Sequence, residues 1–156
     1  MLALYGRPDT WNWLLMFHIF TALALVAGTF VVASASVAAL GSADQGRVTL
    51  LRRVALRTNL ALVLPAFIAV IVLGATLADK EYPGDTSPGW LDVGWHLTEG
   101  AGVVGGILLS LLQWWVVRRA RAGQTRGWQA QVASYVAPLV FAAILVVLFL
   151  MSGKPD

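Results

Sequence analysis

The chain contains no cysteine, which excludes disulfides, thiol catalysis and cysteine-ligated metals. That absence leaves the redox compartment open, since only methionine remains to be oxidised. Charge is scarce as well: 12% of the residues are charged, where soluble domains carry about 25%. A length of 156 residues suits one domain, 1–156. So few charges could not cover the surface of a soluble fold of that size. Histidine occurs only at His18 and His96. What is abundant is apolar: 58% of the residues are hydrophobic and the mean hydropathy is +0.75. Lipid must cover much of this protein.

The net charge of +3 does not point to nucleic acid, because the basic residues flank apolar segments, as they do in membrane proteins. The first apolar run follows Arg7 and Asp9 and carries no charge before Asp44. It far exceeds a signal-peptide core of roughly 7–15 residues, so it reads as a retained first helix. A helix needs about 20 apolar residues to cross the bilayer core. Four segments meet that length, about 12–39, 58–78, 93–117 and 129–152. The first is long enough to tilt or project.

Charge sorts the connections. The stretch between spans one and two carries Arg47, Arg52, Arg53 and Arg57 against Asp44 alone. The stretch between spans three and four carries Arg118, Arg119, Arg121 and Arg126 with no acid. Between spans two and three lie Asp79, Glu81, Asp85 and Asp92 against Lys80. Basic residues are retained on the cytoplasmic side, and eight of the eleven fall in the two arginine loops. The expected topology is an all-α, up-down bundle of four transmembrane helices in the cell membrane. Its arginine loops are inside, and both termini and the acidic loop are outside. Trp11, Trp13, Trp90 and Trp95 mark the outer interface, and Trp114, Trp115 and Trp128 the inner one. Pro83-Gly84 and Pro88-Gly89 are turn signals that predict a compact outer cap. Gly28, Gly100, Gly102, Gly105 and Gly106 allow close helix approach. Pro65 and Pro138 predict kinks in spans two and four.

The inventory for chemistry is short. Counting about 20 residues back from Arg118 puts the outer boundary near Thr98. His96 then lies at the boundary, Glu99 just below it, and His18 at similar depth on span one. Asp92, His96 and Glu99 share a helix face at i, i+4 and i+7. The stripe runs on through Gly102 or Val103, Gly106, Ser110 and Gln113. Thr21, Thr29 and Ser36 follow the His18 face. Polar stripes on apolar helices normally face the bundle interior.

Three readings of this layer stand. His18, His96 and Glu99 could satisfy one another by hydrogen bonds and hold helices together. His18 and His96 could ligate a b-type haem, which needs two imidazoles at similar depth. His18, His96 and Glu99 could bind copper or zinc or relay protons. The glycine run after Glu99 is no nucleotide loop, because it lies inside an apolar helix. The arginine clusters read as topology determinants before they read as lipid-binding sites. Asn59 and Gln113 read as interhelical hydrogen-bonders, or as the lining of a cytoplasmic path.

Three stretches carry a resemblance. Trp13-Leu14-Leu15-Met16-Phe17-His18-Ile19-Phe20, Leu51-Arg52-Arg53 and Leu148-Phe149-Leu150-Met151-Ser152-Gly153-Lys154-Pro155 resemble the integral membrane proteins called domain of unknown function 2269. More distantly, the chain is similar to the copper-resistance D proteins and b-type cytochromes. That likeness implies copper or haem at His18 and, by position, His96. This chain lacks the additional helices and histidines of those proteins. The residues taken together lead to the expectation of a non-enzymatic accessory subunit of a larger, respiratory or other membrane complex. Its partners are the bilayer and other membrane subunits, not nucleic acid. Any chemistry is expected in the outer half, between spans one and three.

Overall fold

The computed structural model describes residues 9–82, 89–124 and 127–152. Six α-helices and two π-helical turns follow one another: α1 (Asp9–Leu40), α2 (Gln45–Thr58), a first π turn (Asn59–Val63), α3 (Leu64–Glu81), α4 (Gly89–Gly102), a second π turn (Val103–Leu108), α5 (Leu109–Arg121) and α6 (Trp128–Ser152). Among the described residues, four continuous helices are long and apolar enough to cross a membrane. They are α1, then α2 to α3, then α4 to α5, then α6. The protein is an all-α four-helix bundle with the composition of an integral membrane protein.

Spans two and three are longer than the apolar segments alone predict. Span two runs unbroken from Gln45 to Glu81, 37 residues, or about 55 Å at 1.5 Å per residue. The bilayer core is only about 30 Å. Arg47, Arg52, Arg53 and Arg57, expected in a loop, therefore lie on helix α2. The physical reason is local. The Asp44 carboxylate accepts a hydrogen bond from the Gly46 N–H at 2.8 Å, capping the helix, and arginine and leucine are good helix formers. Span three likewise continues to Arg121. Its end is turned by Gly123, whose φ of +80° suits glycine. The Gly123 and Gln124 N–H groups donate to the carbonyls of Ala120 and Arg119 there.

Short connections force neighbours to run antiparallel. Span one packs on spans two and four, and span three packs on the same two. Spans one and three are thus diagonal in the bundle. The core is small-residue packing: Ala55, Ala133 and Ala137 are at most 1% exposed, beside Val32 and Val63. Four of the five glycines singled out above serve this internal packing. A Cβ on Gly28 would lie 2.9 Å from Val63, and one on Gly106 would lie 3.1 Å from Leu64. A Cβ on Gly102 would overlap the Phe67 ring, and one on Gly105 would overlap Val140. A Cβ on Gly100 would meet nothing. Large apolar side chains such as Phe20, Ile68, Leu111 and Leu139 point outward. An apolar interior together with an apolar exterior is what a bilayer, not water, tolerates.

The two prolines differ in effect. Pro65 follows the first π turn, where the Leu64 N–H reaches back to the Asn59 carbonyl. The irregularity expected at Pro65 thus takes the form of that turn. Pro138 sits within α6, which runs on to Ser152. Pro83, Gly84, Asp85 and Pro88 of the acidic loop, Arg126, Arg7 and the Gly153-Lys154-Pro155 ending lie outside the described residues.

Candidate functional site

The acidic end of the bundle holds the residues singled out for chemistry. His18, on α1, is half-buried and turned toward span two. A Cβ on Gly74 would lie 3.1 Å from its ring Cε1, and the backbone of Val70 is a polar neighbour. Its Nδ1 is buried with no hydrogen-bond partner among the described residues. His96 is different. Its side chain is 79% exposed and stands 3.7 Å from Glu99, itself 50% exposed. Glu99 also accepts a 2.8 Å hydrogen bond from the Trp95 indole N–H. The structure brings His96 and Glu99 together on the outside of α4 and places His18 elsewhere, against span two. Among the described residues no group of three His, Asp or Glu side chains is placed to hold a metal ion.

The polar stripe on span three splits, and the second π turn explains why. A stripe counted at 3.6 residues per turn assumes an unbroken α-helix, whereas a π turn admits an extra residue. Outward-facing positions run from Asp92, His96 and Glu99 through Val103, Ile107 and Leu111. Inward-facing ones run from Gly94 through Gly102, Gly106, Ser110 and Gln113. The expected stripe begins on the first set and ends on the second. On span one the expectation of an inward polar face fits the geometry: Thr29 is 3% exposed and Ser36 is fully buried. The Thr29 hydroxyl donates to its own helix at Leu25, 2.8 Å.

The buried polar groups gather in the other half, toward the arginine end. Asn59, Gln113, Ser134 and Ser36 are at most 1% exposed, Arg52 is 2% exposed and Ser110 7%. The Asn59 amide donates to the Gly105 carbonyl at 3.0 Å and to the Ser110 hydroxyl at 2.8 Å. Ser110 in turn donates to the Gly106 carbonyl. Asn59 opens the first π turn, and Gly105 and Gly106 lie in the second. The side chain that opens one irregular turn therefore bonds to backbone within the other. One turn further along span three, both polar atoms of Gln113 are buried without a partner among the described residues. Arg52 crosses from α2 to α6, where its Nη2 donates to the Ala130 carbonyl at 3.0 Å. Ser134 donates to that same carbonyl at 2.8 Å.

Arg52 is the member that sequence reasoning missed, since it sits among three exposed arginines. A signal existed. Val48, Arg52, Ala55, Asn59, Val63 and Ala66 recur at steps of three or four, and all six are buried. Extending the helix back from Thr58 puts Arg52 on the Asn59 face. Arg118 and Arg119 stack over Trp114 and Trp115, with ring-centroid distances of 5.5 and 3.6 Å.

A scan of protein-family models matches none to this chain, and comparisons with curated proteins and with solved structures give no match either.

Proposed function

We propose that this protein is a non-enzymatic membrane subunit that docks another transmembrane helix on the outer half of span three. One observation carries the reading. His96 and Glu99 face away from the bundle on an apolar span, within which ionisable side chains normally turn inward; the count back from Arg118 puts them near the outer boundary. A neighbouring helix offering a hydrogen-bond donor or a cation to Glu99 would take that pair out of lipid. The glycines do not carry the argument, because the bundle uses them internally; only Gly100, on the open face next to Glu99, remains for a close neighbour. The host we infer is a larger membrane complex of respiratory or other energy-converting type, a class assigned by analogy. In this reading the arginine end is cytoplasmic and the acidic end faces out, by the retention of basic residues inside.

A photo-crosslinking side chain placed at position 96 tests this in native membranes. It is expected to yield a discrete heteromeric adduct. The same probe at Leu139, 67% exposed on span four, is expected to yield none. No adduct from position 96, or equal adducts from both, would overturn the proposal. The redox alternative keeps one observation in its favour, the buried, unpartnered Nδ1 of His18. A reduced-minus-oxidised Soret band that disappears in His18→Ala would replace the subunit reading with that one.

A further inference from the structure

Arg52 has more hydrogen-bonding capacity than the described residues use. A guanidinium carries five N–H donors in a fixed fork. Only Nη2 has a partner, the Ala130 carbonyl, while Nε and Nη1 are buried with none among the described residues. Among the described residues no carboxylate pairs with it, and burying an unpaired cation is costly. A group this deep and this incompletely satisfied calls for an anion.

The space for one is next to it. Arg52 lines a cavity of about 150 Å³ together with Ser42, Gln45, Gln131, Ala130 and Gly127. A single water needs only about 10–15 Å³ of such volume. The lining residues include the first turn of α6, a helix of 25 residues. The Ala130 and Gln131 N–H groups close that turn on the Gly127 carbonyl at 3.0 and 3.2 Å, and the helix dipole makes that end positive. Guanidinium and helix N-terminus therefore converge on one cavity, an arrangement that recognises phosphate. Arg47, Arg53 and Arg57 are exposed on the same helix and raise the local concentration of anions.

We propose that the cavity between α2 and the start of α6 is a binding site for a phosphate group, with Arg52 as its buried anchor. Trp128 and the stacked Arg118 and Arg119 put this level at the headgroups, so the phosphate is that of an anionic lipid or a free phosphate. The site lies at the opposite end from the docking face and stands independently of it.

Detergent-purified full-length protein is titrated with inorganic phosphate alone and, separately, with a short-chain phosphatidylglycerol. Bound ligand is counted by native mass spectrometry, and the melting temperature is followed. Saturable 1:1 binding is expected, weakened at least tenfold in Arg52→Gln and within twofold of wild type in Arg53→Gln. Binding of phosphate alone identifies the free anion as the source; binding of the lipid only identifies the headgroup. Ser42→Leu narrows the cavity without touching the Arg52–Ala130 bond. It is expected to abolish binding at an unchanged ligand-free melting temperature, which keeps the test decisive should Arg52→Gln fail to fold. The proposal is overturned if neither probe binds 1:1, or if Arg53→Gln loses as much as Arg52→Gln. Undiminished binding in Ser42→Leu overturns it as well.

Discussion

The two ends of the bundle treat polar residues in opposite ways. At the acidic end the titratable groups of span three stand outside, with His96 79% and Glu99 50% exposed. At the arginine end Arg52, Asn59, Ser110 and Gln113 are buried between helices. Charge along the chain therefore distinguishes the two ends of the bundle and says little about interior chemistry. The end with the obvious functional residues offers a surface, and the end that reads as a mere anchor holds the interior polar layer. The physical cause is a change of helical phase, because the second π turn lies between Glu99 and Ser110 on the same span.

The sharpest way to break this comparison is at the phase change itself. Gly102 faces inward, where an added Cβ overlaps the Phe67 ring, while Gly100, two residues away, faces open space. Gly102→Ala is expected to destabilise the protein by about 1–3 kcal/mol, the usual cost of overpacking. Gly100→Ala should be neutral or stabilising by up to about 1 kcal/mol, through helix propensity. Unfolding of both variants in mixed detergent–SDS micelles checks the difference. Equal effects would mean that α4 does not present the faces described.

A smaller effect is expected in the polar layer. Asn59→Leu removes two hydrogen bonds between spans two and three and leaves the Gly105 carbonyl without that donor. Interhelical bonds in membranes average about 0.6 kcal/mol and reach about 1.7, so a loss of roughly 1–2 kcal/mol is expected in the same assay. Ser110→Ala should lose less, and the double variant should fall short of the sum, because the two side chains share one bond.

How much of this was legible follows from what each feature depends on. The four spans were legible because lipid imposes a length and a composition that few other constraints mimic. The start of span two was not, since charge places the arginines in a loop while Asp44 caps a helix that runs through them. The π turns carry no pattern of their own. Pro65 hints at the first, and the second shows only as a stripe that loses its phase. Of the site residues, His96 and Glu99 stand 3.7 Å apart, as their i, i+3 spacing allows, yet the side of the helix they occupy depends on tertiary packing. His18 shows the same limit. Its depth could be counted, but its direction is set by the gap that Gly74 leaves on span two.

The smallest effect on stability belongs to the acidic end. Trp95→Phe and Glu99→Gln each alter one exposed hydrogen bond, that from the Trp95 indole to the Glu99 carboxylate. Exposed substitutions of this kind stay within about 0.5 kcal/mol, so neither variant should shift the micellar unfolding curve of the isolated protein. The same Glu99→Gln change should nonetheless weaken the adduct formed from position 96, because removing the charge removes what a neighbouring cation or donor would hold. A silent unfolding curve with a weakened adduct assigns the carboxylate to an interface. A Glu99→Gln variant that unfolds as readily as Asn59→Leu would instead place Glu99 among the groups that hold the bundle together, and the contrast between the two ends would be lost.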